Sequence, residues 1–479
     1  MRGRGEKQGR KNGMRDVMRK RHVVGLLALL VAAAVQPVAG QEQRDTFPGV
    51  RLGMEYETGF QPVLAIKPFT ARFGGEGVES QVQAILGRDL RYSDRFELLD
   101  SLPPSMVGEG IDYQLWDQMG ADWLVSGQVE GTGDGYTLVL SLHNVVYAEQ
   151  REQASFPLPD TSSEHFRMAV HTVSDRIVEW IFDEPGMAAS RIAFSRIMGD
   201  GVQEIFLVDS DGENLRRLTN NGDLSKSPAW HPSGQELAYV RSQNWEPHKI
   251  IIRDLRTGRE RTLNPGREGQ QGTPSYHPNG RELAFGLMGY NRTGLFSWNL
   301  DADCCLQHLQ GGRWEDLAPT FSPDGRRLAF TSNRLGAAIP HVYAASAREG
   351  GRAEIVSPYV PGTPGDFNSP DWSPTSDQVV FHGRLDRYGR YHIMVADVND
   401  RRPVVTQLTF AGNNEDPSWA PDGRHIVFSG ERSNGYGLFV VDIRTGRIRL
   451  LVPSMRVNVP DWSPSLSASV EETLRGGEF

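Results

Sequence analysis

Along residues 50–186 the apolar positions alternate between two periods. Residues 78–91 set Val78, Val82, Ile85, Leu86 and Leu90 on one helical stripe, and residues 165–182 do the same with Phe166, Val170, Val173, Ile177 and Ile181. Residues 62–69 and 96–99 read as strands, and 113–119 as a short helix. Residues 123–129 and 136–142 are predicted to pair as a hairpin around Gly131-Thr-Gly-Asp-Gly135. Helices and strands interleave, which predicts a small α/β domain ending at the junction Asp183-Glu-Pro-Gly186.

Beyond that junction only strand signals remain, and they repeat. The copies are Ser227-Pro-Ala-Trp-His-Pro-Ser-Gly234, Thr273-Pro-Ser-Tyr-His-Pro-Asn-Gly280 and Ala318-Pro-Thr-Phe-Ser-Pro-Asp-Gly325. They continue as Ser369-Pro-Asp-Trp-Ser-Pro-Thr-Ser376, Asp416-Pro-Ser-Trp-Ala-Pro-Asp-Gly423 and Val459-Pro-Asp-Trp-Ser-Pro464. Their first prolines are spaced by 46, 45, 51, 47 and 43 residues, the period of a four-stranded propeller blade. Within a copy, the Pro-x-aromatic stretch reads as an inner strand. The Pro-Asp/Ser/Asn-Gly that follows is a turn, with proline presetting φ and glycine taking the positive φ. Three further strands follow, as at 425–429, 437–443 and 447–451.

The two ends fix the expected topology. Residues 192–195, 204–209 and 215–219 form an outer set with no inner strand before it, and 459–463 form an inner strand with no outer set after it. The counts match if the C-terminal strand joins the first blade. The fold class expected is therefore a small α/β N-terminal domain followed by a six-bladed all-β propeller closed by the C-terminal strand. The recurring aromatics Trp230, Tyr276, Phe321, Trp372, Trp419 and Trp462 are expected as wedges between blades. Each contributes roughly 4–6 kcal/mol gross if ~150–250 Å² is buried at ~25 cal/mol per Å².

Charge changes the picture once the first forty residues are set apart. They hold nine Lys/Arg against Glu6 and Asp16, so the formal net charge of -9 resolves into +7 there and -16 over the remaining 439 residues. An acidic body of this kind argues against nucleic-acid binding. Arg19-Lys-Arg-His22, the uncharged run 23–35 and the small residues Val38-Ala-Gly40 form a secretory signal pattern, with cleavage expected after Gly40 and Met14 or Met18 as alternative starts. The apolar run is short of the ~20 residues of a membrane anchor, and no cysteine near Gly40 suggests a lipid anchor. The mature protein is expected to be exported and soluble, without direct membrane insertion, and monomeric alone.

Catalytic signatures are missing from the sequence: there is no G-x-S-x-G elbow, no H-E-x-x-H and no Walker lysine. The glycines 131, 133 and 135 are not followed by a helix, so they read as a turn. His231 and His277 share one repeat position and read as turn-capping imidazoles, with a shared metal as the alternative. Asp209-x-Asp211-Gly212 reads as a turn lacking the distal Glu of a calcium loop. Two cysteines exclude a disulfide scaffold and a cysteine-based zinc site; adjacent Cys304 and Cys305 are expected as buried strand thiols, with oxidation left open. No cofactor is expected, a structural ion in the propeller funnel staying open. Two other function classes stand beside a binding role: a propeller hydrolase or peptidase relative, and a sugar-binding propeller using Trp245, Tyr290 or Trp314.

An exported α/β domain followed by six Pro-x-Trp-Ser-Pro-Asp-Gly repeats resembles the TolB family of the Tol-Pal system, over about residues 50–464. The likeness is carried also by Arg167-x-x-x-His171-x-x-Ser174-Asp175, by Gly186-x-x-x-Ser190-Arg191-Ile-Ala-Phe, by Pro62-x-x-x-Ile66-x-Pro68-Phe69 and by Gly120-Ala-Asp-x-Leu-Val-x-Gly127. The resemblance implies a non-catalytic periplasmic scaffold that docks a Pal-like peptidoglycan-associated lipoprotein on the propeller face and contacts a TolA-like inner-membrane protein through its N-terminal region. The domains implied are a signal peptide (1–40), an α/β domain (41–186), a propeller (187–466) and a disordered tail (467–479). The docking loops would be those ahead of each motif: Lys226 and Ser227; Gln270, Gln271 and Thr273; Asp316, Leu317 and Ala318; Asn368 and Ser369; Glu415 and Asp416; and Asn458. The N-terminal contact would use Val50, Arg51, Leu52, Met54, Glu55 and Tyr56. Ala318 departs from the family, which often carries Glu before the motif proline, and the fourth motif lacks its glycine.

Overall fold

The computed structural model describes residues 50–52, 61–99, 110–199, 201–244, 246–289, 293–336, 339–360, 365–386, 388–399, 403–433 and 435–467. The signal segment, Met54, Glu55, Tyr56 and all of the tail but Ser467 lie outside them. In the N-terminal half the strands are β1 (Val50–Leu52), β2 (Val63–Ile66), β3 (Thr70–Arg72), β4 (Glu97–Leu99), β5 (Trp123–Thr132), β6 (Gly135–Asn144) and β7 (Glu149–Pro159). The helices are α1 (Val78–Tyr92), α2 (Tyr113–Gln118) and α3 (Phe166–Phe182). Six strands form one sheet in the order β4-β2-β5-β6-β7, with β3 beside β5. The predicted stripes are the buried faces of α1 and α3, packed with Leu64, Val125 and Leu140 in one core. The hairpin is longer than expected, and β7 is an addition. Its N-terminal half is polar and solvent-facing at the sheet edge, so no apolar alternation marks it.

The C-terminal half is all strand. Its first two are β8 (Arg191–Gly199) and β9 (Val202–Asp209), followed by the motif strands Leu224–Trp230, Gln270–Tyr276, Asp316–Phe321, Asp366–Trp372, Asn413–Trp419 and Val457–Trp462. Three motif strands begin four-stranded antiparallel sheets, and the fourth begins a sheet that β1 extends in parallel against Val405–Gln407. The sixth pairs antiparallel with β8, with Val457 opposite Arg196 and Trp462 opposite Ile192. A single bridge, Leu224 to Gln203, links this group to the first motif sheet. Every motif aromatic is buried, five of the six between two neighbouring sheets. Trp230 packs between the two strand groups of its own sheet, among Ile205, Leu207 and Tyr239. Trp372 sits among Ala329, Val342 and Phe381, and Trp419 among Val380, Val395 and Phe428. Trp462 sits among Val440, Phe194 and Val208.

One expectation is overturned. Cys304 and Cys305 are joined to each other by a disulfide, so neither is a thiol. Cys305 is exposed, with φ 69°, at the start of an outer strand, where no apolar layer covers it.

The two halves are clamped by buried charge. His171 on α3 is fully buried, its Nδ1 2.8 Å from Asp89 Oδ2 on α1, which also accepts the Ser174 hydroxyl at 2.6 Å. Across the junction the turn after β9 supplies Asp209 and Asp211, bound by Arg191, Arg167 and Arg88. Thus Asp209-x-Asp211-Gly212 is a turn, as read, and it anchors a helix. A second cluster mirrors it from the propeller side: buried His425 bridges Asp422 at 2.7 Å and Asp94 of the first domain at 3.5 Å, while Arg424 binds Asp442 and the Asp94 carbonyl. Asp175 accepts the Ala188 and Ala189 amides at 2.7 and 2.9 Å, and a Cβ on Gly186 would stand 2.0 Å from its Oδ1. The junction glycine is therefore a requirement of contact.

Burial pulls both imidazoles toward neutrality, but Asp89 and Asp422 outweigh it and raise their pKa above 6.5. The folded state then holds protons the unfolded state gives up, so this stabilisation is complete below pH 6.5 and is lost as pH rises through the folded values. Urea unfolding at pH 6 and pH 8.5 is expected to show lower stability at the higher pH. His171→Asn, which leaves Asp89 a buried charge without its cation, is expected to lower stability by about 3–5 kcal/mol at pH 6. A His171→Asn protein as stable as the parent would contradict the clamp.

Candidate functional site: the motif rim and funnel

Six motif prolines, Pro228, Pro274, Pro319, Pro370, Pro417 and Pro460, line one cavity of about 430 Å³. Each lies in an inner strand, where the missing N–H leaves no ladder bond unmade. In every copy the residue before the proline is left-handed: Ser227, Thr273, Ala318, Ser369, Asp416 and Val459 have φ between 45° and 51°. None is glycine, and Thr273 and Val459 are β-branched, which makes the conformation costly. Each motif strand shifts register there as a bulge.

Side chains of preceding strands hold four of the six strained amides. Ser227 N–H donates to Ser195 Oγ at 3.1 Å, Ala318 N–H to Thr273 Oγ1 at 3.0 Å, Asp416 N–H to His382 Nδ1 at 2.9 Å, and Val459 N–H to Asp416 Oδ2 at 3.1 Å. A second set of links runs through the variable residue between proline and aromatic. Trp372 N–H donates to Thr320 Oγ1, Trp419 N–H to Asp371 Oδ2, Trp462 N–H to Ser418 Oγ, and Trp230 N–H to Asp461 Oδ2. The last link carries the sixth motif back to the first. Ala229 has no acceptor to offer Tyr276. A third set uses the repeated histidines: His231 and His277 accept turn amides at Nδ1, both at 3.1 Å, which leaves Nε2–H to donate to Gly280 O and Gly325 O of the next motif. They cap turns, as read, and also tie neighbouring turns together.

Two of the linking groups are carboxyls. Burial pushes Asp371 up to about 6 against its accepted hydrogen bonds, and Asp461 is raised well above the usual range by burial and by the Asp371 charge. Two junction groups offer three ligand atoms within 4.8 Å, Asp89 with His171 and Asp211, and Asp94 with His425 and Asp442. Arginine engages Asp211 in the first and Asp442 in the second.

Of the expected docking residues Ser227, Thr273, Ala318, Ser369 and Asp416 line the cavity of the motif prolines, and the others precede them in the motif strands, in different states. Gln270 is exposed, and Thr273 and Leu317 are half-buried. Gln271 is wholly buried, accepting Ile250 N–H at 2.8 Å, and Asp316 is wholly buried against Arg334 at 2.9 Å. Ser369 donates to Asp416 at 2.8 Å, and Asn368 to Asp366 at 2.7 Å. Burial pulls the Lys226 ammonium pKa down, and burial with the Asp416 charge pushes Glu415 up. Asn458 pairs with Ser195 in the β8 ladder. Val50, Arg51 and Leu52 pair with Val405, Thr406 and Gln407. Trp245 and Tyr290 lie outside the described residues, and Trp314 is half-covered, with the Arg313 guanidinium 4.4 Å from its ring. The interior hydrogen bonds of Thr320, Asp371, Ser418 and Asp461 escape sequence reading because that position varies; its recurring polar character is the signal available.

The family described as the TolB beta propeller domain matches residues 178–466, and the TolB amino-terminal domain matches 58–151. Among curated relatives, the Tol-Pal system protein TolB of Haemophilus ducreyi is 33% identical over 218 residues, 44% of this chain and 49% of that one. That of Methylococcus capsulatus is 29% identical over 214 residues, 43% and 50% of the two chains. The matched region thus spans about half the length of these relatives. The crystal structure of TolB from Acinetobacter baumannii is similar at a TM-score of 0.71 and 24% identity, covering 85% of this chain and 97% of that one; it speaks to the fold alone.

Because Asp371 binds its proton more tightly when folded, the native state loses stability as pH rises from 3.8 to about 6. Asp371→Asn keeps an acceptor for Trp419 N–H and removes the buried charge. The variant is expected to lose that decline, worth about 3 kcal/mol at most, in thermal unfolding between pH 4 and pH 7. A variant with an unchanged pH profile and lower stability at every pH would contradict this.

Proposed function

This chain belongs to the TolB family, and on that premise we propose that it is a non-catalytic periplasmic scaffold of the Tol-Pal system. In this reading the strand sets are six blades of a ring sealed where Val457–Trp462 joins β8, and the loops ahead of the motifs form one docking face. A Pal-like peptidoglycan-associated lipoprotein docks there, and the N-terminal segment that includes β1 engages a TolA-like inner-membrane protein, supporting outer-membrane integrity and cell division. The observation that carries the reading is the convergence of six motif prolines on one cavity, with side chains of one motif holding amides of the next. A rim ordered in advance loses little conformational freedom on binding. Support for export comes from the signal pattern of the first forty residues; among the described residues no helix is long and apolar enough to cross a membrane. The three-residue ladder of β1 leaves few hydrogen bonds to exchange for a partner's strand.

Titration of the mature chain with the soluble domain of its organism's peptidoglycan-associated lipoprotein is expected to give a one-to-one complex with Kd at or below about 1 μM. Gln270→Arg, on an exposed side chain, is expected to weaken it about tenfold or more. Absence of binding at ~100 μM, far above that range, would contradict the proposal.

A further inference from the structure

Beside the second motif strand lies a cavity of about 510 Å³ that the docking reading does not use. The sheet register places it on the rim. Gln270 pairs with Met288, Met288 with Thr293, and Leu295 with Gln310, so Gly289, Thr293, Gly294 and Gly311 lie at the same sheet end as Gln270. Phe296 is its apolar wall, with the Arg267 guanidinium carbon 5.0 Å from the ring centroid and the His308 ring also at 5.0 Å. Leu287 and Thr293 line it as well, and glycines keep it open: a Cβ on Gly311 would stand 2.5 Å from His308 Nε2, and one on Gly294 3.0 Å from Gln310 O.

Among the described residues, neither Arg267 nor His308 has a carboxylate within 4.0 Å. What sets Arg267 apart from other arginines without such a partner is that it shares one cavity and one ring with a histidine. A guanidinium whose carbon sits over a ring still has N–H donors to offer a carboxylate. Glu268 also lines the cavity. It repels any anion placed there, a dianionic phosphate more than a singly charged carboxylate.

We propose that this cavity receives an aspartate or glutamate side chain of the protein docked on the motif rim, with Arg267 and His308 sharing its carboxylate. The inference rests on the docking reading above and adds the chemistry of one contact to it. On an acidic body an acidic side chain is favoured where a basic pocket receives it, so the pocket would set register as well as affinity.

The test uses the mature chain and the soluble domain of its organism's peptidoglycan-associated lipoprotein, titrated at low and high salt. Arg267→Glu is expected to weaken binding about thirtyfold or more and His308→Gln less, and the salt dependence of Arg267→Glu should be shallower than the parent's. Arg313→Glu, on the same rim but outside the cavity lining, serves as the control and should stay within about threefold, as for a rim charge. One Asp→Ala or Glu→Ala change in the lipoprotein should reproduce the Arg267→Glu loss and add nothing to it. Parent binding with Arg267→Glu within about threefold, or with Arg313→Glu equally damaging, overturns the pocket and leaves the docking reading standing. Absence of parent binding overturns both.

Discussion

The backbone just ahead of each motif proline is the constraint on which the rest of this molecule depends. Six residues with side chains are held left-handed there, at a cost on the order of 1–3 kcal/mol each. Summed, that cost rivals the whole net stability of a typical domain. Such strain persists only where surroundings over-determine it. Here a side chain of a preceding strand accepts four of the six strained amides, the proline removes a donor that the bulge would orphan, and the aromatic two residues on is buried against neighbouring strands. Each copy thus needs its predecessor, and the sixth copy hands the obligation back to the first through Asp461 and Trp230.

Cooperation of this kind turns short strands into a platform. None of the four-stranded sheets buries its faces alone, and each gains its core only against a neighbour. The same logic governs the junction, where α1 and α3 offer Asp89 and His171 to the turn after β9, and the propeller offers His425 and Arg424 to Asp94. Both halves contribute the cation at one cluster and the anion at the other, so neither cluster is complete within one half. The motif strands are thereby fixed relative to the first domain by buried ion pairs.

Much of this was legible in the sequence, and the physical reason is periodicity. Proline, aromatic and turn glycine recur because backbone geometry demands those residue types, so their spacing exposes the repeat. The helical stripes of α1 and α3 were legible for the same reason. Strand β7 was not, because an edge strand facing water needs no apolar alternation. The Cys304–Cys305 disulfide was left open, since adjacency alone does not decide oxidation. Arg167, His171, Ser174 and Asp175 stood out by family resemblance without a role; their partners Asp89, Asp211, Ala188 and Ala189 are distant or unremarkable in sequence and meet them only in the fold. On the rim, sequence position located the loops but could not separate exposed Gln270 from buried Gln271 and Asp316, because a bulge breaks the simple alternation of strand faces.

Native-state amide hydrogen exchange at the motif aromatics tests the central claim most directly. If the links close on themselves, the Trp230 and Trp462 amides exchange only through the same global opening as those of Trp372 and Trp419, with matching free energies. Fast local exchange at Trp230 and Trp462, beside slow exchange at the other two, would show that the last strand is not part of the cooperative unit and would contradict the account.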